Sequence, residues 1–101
     1  MNSDFYGGLI RLHLLHHATH EGPIFGLGMI EELAEHGYRL SPGTLYPILH
    51  RLEKSGLLKS SQQLVEGKIR RGYWITPKGR KALAEGKKRV HELFGELFER
   101  D

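Results

Sequence analysis

The apolar positions between residues 41 and 58 follow a helical period. Leu45, Ile48, Leu49 and Leu52 recur at i, i+3, i+4 and i+7, the spacing of a single buried stripe. Ser41 is a favourable N-cap, Pro42 suits the first helical position, and Gly56 ends the run. The opposite face carries Gly43, Pro47, His50, Arg51 and Lys54, flanked by Thr44 and Tyr46. Most amphipathic helices are plain surface helices. One anchored on one side, with small polar and cationic groups on the other, also has the make-up of a DNA recognition helix.

Four segments surround it. From about Asp4 to Thr19 a strongly apolar helix is expected, with Gly7, Ile10, Leu14, Leu15 and Ala18 on one face and Phe5, Leu9 and Leu12 on another. A helix apolar on two sides needs cover on two sides. His20-Glu21-Gly22-Pro23 reads as a turn. A second helix runs from about Phe25 to His36, with Leu27, Ile30, Leu33 and Ala34 inward and Glu31, Glu32 and Glu35 outward. Gly37 is placed as its left-handed C′ residue. Only Gly37 to Leu40 separate it from the capped helix, the connection length of a helix-turn-helix.

After Gly56, residues 57–64 and 69–75 read as two strands joined at Glu66-Gly67. Thr76 then caps a last helix with Pro77 in its first position and a stripe of Leu83, Val90, Leu93, Phe94, Leu97 and Phe98. Gly86 and Gly95 allow close approach to it. Continued to Arg100, this helix spans ~37 Å, too long for one small domain to cover. Pairing with the first helix of a second copy buries it. A homodimer is expected, with Phe5, Leu9, Leu12, Leu83, Val90, Leu93, Phe94, Leu97 and Phe98 at its interface. The predicted fold is mainly α with a small β-hairpin: a winged helix-turn-helix over residues 1–75 and a C-terminal dimerisation helix over 76–101, forming one compact unit.

Composition narrows the setting. A chain of 101 residues without cysteine is one domain with neither disulfides nor thiolate metal sites, which fits a reducing compartment. No apolar run approaches the ~18 residues of a membrane span. Arg11, His13 and His16 interrupt the apolar stretch near the N-terminus, so no secretory signal is read and a cytoplasmic protein is expected. The net charge of +3 is unevenly spread: Lys54, Lys59, Lys68, Arg70, Arg71, Lys78, Arg80 and Lys81 face only Glu66 within their segment. That excess points to a polyanion partner; the plainer alternative is cations that merely solvate a hairpin.

Several motifs in one order now resemble the PadR family of bacterial transcriptional regulators. They are Phe25-Gly26, Gly43-Thr44-Leu45-Tyr46-Pro47 with Arg51-Leu52-Glu53, Gly56-Leu57, Arg70-Arg71 with Tyr73, and Ile75-Thr76-Pro77 followed by Gly79. The resemblance runs from about Leu9 to Leu83, and the single last helix is similar to the short subgroup of the family. It implies a dimeric winged-helix repressor on double-stranded palindromic operator DNA, released by a small-molecule effector; a metal-sensing regulator is the separate alternative that the first-helix histidines raise. The DNA-binding candidates are then Ser41, Thr44, Tyr46, His50, Arg51 and Lys54 on the helix, and Lys68, Arg70 and Arg71 on the wing. Two readings stand for Tyr46, packing and phosphate contact. Two stand for Arg51, DNA contact and an ion pair with Glu53 or Glu31. Leu27 replaces an aromatic common in the family, and Gly72 replaces a basic residue. Trp74 lies on the wing strand, so relatives that sandwich flat drugs between tryptophans of the last helix are a poor guide.

Other chemistry finds little support. His13, His16, His17 and His20 fall on one arc of the first helix, where i, i+4 pairs can chelate zinc. One helix supplies only two well-placed ligands, with Glu21 the nearby carboxylate; the alternative is interface packing. His16-His17-Ala18-Thr19-His20 lacks the glutamate of a zinc-protease helix, and Gly26-Leu27-Gly28 imitates half a dinucleotide fingerprint without a preceding strand. Phe94 and Phe98 read as dimer core rather than an effector cage. Neither an enzyme nor a cofactor is expected. The competing class is a winged-helix protein-interaction module without DNA affinity.

Overall fold

The chain's structure, a computed structural model, describes residues 3–20 and 22–99. Glu21 and Arg100, invoked above for the turn and the last helix, lie outside them. The elements are α1 (Ser3–His17), β1 (Ile24–Phe25), α2 (Gly26–Glu35), α3 (Pro42–Lys54), β2 (Leu58–Val65), β3 (Lys68–Ile75) and α4 (Pro77–Phe94), which ends in a widened π turn over Gly95–Glu99. One core joins the three N-terminal helices to the sheet: Ile10 and Leu14 of α1, Leu33 of α2, Leu45 and Leu49 of α3 and Leu58 of β2 are fully enclosed.

The expected hairpin forms with Glu66 and Gly67 at its tip, φ 50° and 79°. Two successive positive φ values make the primed turn whose twist matches the strands. The sequence pattern does not reveal β1. It is only two residues long and pairs antiparallel with β3, Ile24 opposite Tyr73 and Phe25 opposite Gly72, giving the sheet order β1-β3-β2. This pairing accounts for Gly72, since a Cβ there would stand 2.8 Å from Pro23 Cβ and 3.2 Å from Gln63 Cγ.

Because α2 begins directly after β1, the strand sets its phase. Gly26, Met29 and Leu33 turn inward, and Leu27, expected in the core, is exposed. At the other end Gly37 takes the left-handed conformation, with its N–H on the Ala34 carbonyl and the Tyr38 N–H on that of Leu33. The cap of α3 departs from expectation as well: Ser41 is extended, yet its hydroxyl donates to Thr44 Oγ1 (3.3 Å) rather than accepting a backbone N–H.

α4 is tied down where it starts. Thr76 Oγ1 accepts from Gly79 N (2.9 Å) and donates to the Gly56 carbonyl (2.6 Å), pinning the helix to the turn after α3. Farther on, Gly86 lets α4 close onto Leu12 of α1. Beyond that crossing the helix projects, so the radius of gyration is 14.5 Å, against about 13 Å for a compact chain of 100 residues.

Candidate nucleic-acid interface

The burial of α3 divides it as its period requires. Leu45, Ile48, Leu49 and Leu52 are buried, whereas Ser41, Tyr46, Pro47, His50, Arg51 and Lys54 are exposed and Thr44 is half-buried. Pro47 has no N–H, so the Gly43 carbonyl has no i+4 donor on the solvent side. Tyr46 is 40% exposed, and the tip of its ring reaches α2: a Cβ on Gly26 would stand 2.5 Å from the Tyr46 hydroxyl. The hydroxyl end of the ring packs on Gly26 while the rest of the residue keeps its exposure. Arg51 makes no ion pair among the described residues, which leaves its charge facing outward.

Glu53 has a different partner. Its Oε2 accepts from both the backbone N–H (3.1 Å) and the hydroxyl (2.6 Å) of Ser60 on β2. Arg71 Nη1 in turn donates to the Ser60 oxygen (3.0 Å). This relay ties the C-terminal half of α3 to the wing and holds one guanidinium over the seam between them. The seam is a groove of about 700 Å³ lined by Tyr46, Pro47, His50, Glu53, Arg71 and Tyr73. The Tyr73 hydroxyl is held above its ordinary pKa, first by burial and then by the Glu53 charge.

Strand alternation splits the wing cations. Arg71 shares a sheet face with the buried Tyr73 and Ile75, on the side of α3, whereas Lys68 and Arg70 share the other face with Trp74. The structure therefore joins Arg71 to Tyr46 and His50, and does not join Lys68 or Arg70 to them. Lys78 has a local task instead, donating to the Ser55 carbonyl (2.9 Å) at the C-terminal end of α3. The Ser60 relay escapes sequence reading because it depends on cross-strand register, which no local period encodes.

The residues expected at a dimer interface fall into two groups. Phe5, Leu9, Val90, Leu93, Phe94, Leu97 and Phe98 are exposed, with Phe5 at 78% and Phe98 at 72%. Leu83, by contrast, is buried in the chain's own core, and Leu12 is partly covered there. Between α1 and α4 runs an apolar groove of about 640 Å³, lined by Leu9, Leu12, Leu83, Val90 and Phe94 with His13 on its wall.

The four histidines expected on one arc of the first helix divide, because α1 ends at His17 and His20 lies in the turn beyond it. His13 and His17 meet His36 from the end of α2, while His16 packs edge to face with both His17 and His20. Partial burial holds the pKa of His13 and of His17 below the ordinary imidazole value. The neighbouring His36 lowers that of His13 further. Periodicity along α1 exposes the first pair but cannot show His36, which arrives from another helix.

Residues 14–85 match the transcriptional regulator PadR-like family. A Mycobacterium tuberculosis protein named transcriptional regulator Rv3488 is 50% identical over 95 residues, covering 94% of this chain and 88% of that protein. A PadR family transcriptional regulator from Eggerthella lenta superposes with a TM-score of 0.78 at 31% identity, covering 97% of this chain and 88% of the other. A PadR-like transcriptional regulator from Bacillus cereus superposes at 0.80 with 27% identity, over 98% of this chain and 100% of its own.

Proposed function

Because this chain belongs to the PadR-like family of transcriptional regulators, we propose that it is a cytoplasmic, dimeric repressor that binds operator DNA and is released by an effector. The observation that carries the reading is the outward face of α3 beside the wing. Tyr46, His50, Arg51 and Lys54 stand clear of the core, Arg71 is held at their edge, and the nearby Glu53 carboxylate is engaged by Ser60. Such a face suits the major groove, with α3 supplying base-edge and phosphate contacts and the wing supplying salt-sensitive affinity. Lys68 and Arg70, on the opposite sheet face, are assigned to phosphates flanking the groove. A dimer joined through α1 and α4 presents two copies of α3 about one DNA turn apart, ~34 Å. Among the described residues no helix is long and apolar enough to cross a membrane, and the regulator reading assigns the chain no catalytic residues.

The test is binding to the DNA upstream of its own gene at two salt concentrations. Affinity of the wild type falls with salt. Arg71→Ala weakens it and lowers the log–log salt slope by about one, the share of a single neutralised phosphate. A triple Lys68→Ala/Arg70→Ala/Arg71→Ala variant with an unchanged slope would remove the wing as a phosphate clamp. A wild-type monomer with no affinity for DNA or heparin would instead favour the protein-interaction module.

A further inference from the structure

His13 and His17 stand one turn apart on α1, and His36 at the C-cap of α2 comes up against them. One ring nitrogen from each lies within 4.8 Å of the other two. The His13 ring stacks on that of His36 with centroids 4.7 Å apart, and lies 6.4 Å from that of His17. Tetrahedral zinc, with Zn–N bonds of ~2.0–2.1 Å, holds its nitrogens about 3.3 Å apart. Small ring rotations close that difference, since His13 and His17 are only half-buried and His36 is exposed.

We propose that His13, His17 and His36 form a site for one divalent transition-metal ion of the zinc class, which fastens the end of α1 to the end of α2. The site goes beyond the DNA-binding reading and does not depend on it. The donor set selects the ion. Calcium and magnesium take oxygen ligands, whereas imidazole suits zinc, copper, nickel and iron. Three protein ligands leave a fourth position for water or an exogenous group.

The surroundings of the three rings suit a metal ligand in different ways. His36 Nε2 lies 3.1 Å from Glu32 Oε2. An ionised carboxylate only accepts, so Nε2 donates to it, and in the neutral ring the lone pair then falls on Nδ1. A carboxylate behind a ligating imidazole is the recurrent outer partner of metal-bound histidine, fixing its tautomer and orientation. Burial disfavours the cationic, non-ligating form of His13 and His17. In the absence of an ion the same rings form only a stacked patch with Tyr38, whose ring centroid is 5.4 Å from that of His13. Metal titration separates these two roles.

Chelator-stripped protein, the full chain, is titrated with Zn²⁺ by calorimetry and with Co²⁺ by visible absorption, and its melting temperature is followed with and without Zn²⁺. The wild type takes up one ion per chain, shows the d–d bands of nitrogen-coordinated cobalt, and melts higher with zinc. His36→Gln and His17→Gln each weaken binding at least about tenfold and abolish the melting shift, whereas His16→Gln and His20→Gln keep both. His36 is exposed, so its variant retains the core and reports on the ion alone. A wild type that takes up no ion overturns the proposal. So does a His36→Gln variant that binds as tightly as wild type, or binding abolished only by changes at His16 and His20. None of these readings uses DNA, so their failure leaves the regulator reading standing.

Discussion

At the scale of single residues, Tyr46 depends on Gly26 for its position. The ring rests where a Cβ on Gly26 would be, so the smallest possible side chain on α2 sets the direction of a residue on α3. Gly26→Ala drives the ring off this seat. Tyr46 is already 40% exposed and swings outward with little resistance, so the expected cost in stability is about 1 kcal/mol or less. The expected loss is larger in DNA affinity, because Tyr46 and His50 line one groove and the displaced ring leaves its place there. Denaturant melts and DNA titrations of Gly26→Ala, Tyr46→Ala and the double variant check this. If the two substitutions lower DNA affinity additively, the seat has no role in binding. From the sequence alone Tyr46 carries both a packing and a contact reading, and no spacing rule separates them, since its partner lies 20 residues away on another helix.

At the scale of elements, the joint between the wing and α4 is the most constrained. Thr76 bonds to Gly79 within its own helix and to the Gly56 and Leu57 carbonyls behind it, and the absent side chain of Gly79 lets the helix sit against the Leu57 carbonyl. Backbone cannot yield there as a side chain can. Gly79→Ala is expected to destabilise by about 3 kcal/mol, and Thr76→Ala by about 1–2 kcal/mol, with Thr76→Ser recovering most of the latter. Thermal or urea melts decide, and a Gly79→Ala protein as stable as wild type would refute the close approach. This joint is legible as a cap because Thr-Pro signals are local. The helix ends at Gly37 and Gly56 and the Glu66-Gly67 turn are legible for the same reason. What stays hidden depends on pairing at a distance: two-residue β1, the phase it imposes on Leu27, the Ser60 relay and the arrival of His36 beside His13.

At the scale of the whole molecule, the chain leaves an apolar row uncovered that its own core cannot reach. Phe94 and Phe98 pack with tilted rings, centroids 5.1 Å apart, on the projecting end of α4, Leu97 is 61% exposed, and Phe5 and Leu9 face outward from α1. Fully burying one such side chain is worth about 1.5–3 kcal/mol, so a row of them favours association over solvation. In the proposed dimer a second copy would supply the same two rows, and a two-fold axis would let each α4 lie against the other's α1. Leu83, enclosed in the chain's own core, reaches only the lining of the groove between α1 and α4. The substitution that separates assembly from folding is therefore Leu97→Glu with Phe98→Glu, beyond the Leu12–Gly86 crossing where α4 is anchored. Its far-ultraviolet spectrum should match wild type, while sedimentation should show a monomer where the proposal expects the wild type to sediment as a dimer. Without the linked second half-site, operator binding should weaken about a hundredfold, whereas Leu83→Ala should unfold the protomer more readily without shifting the dimer equilibrium in this selective way. A Leu97→Glu/Phe98→Glu protein that still sediments as a dimer would place the interface elsewhere on the molecule, and with it the spacing of the two copies of α3.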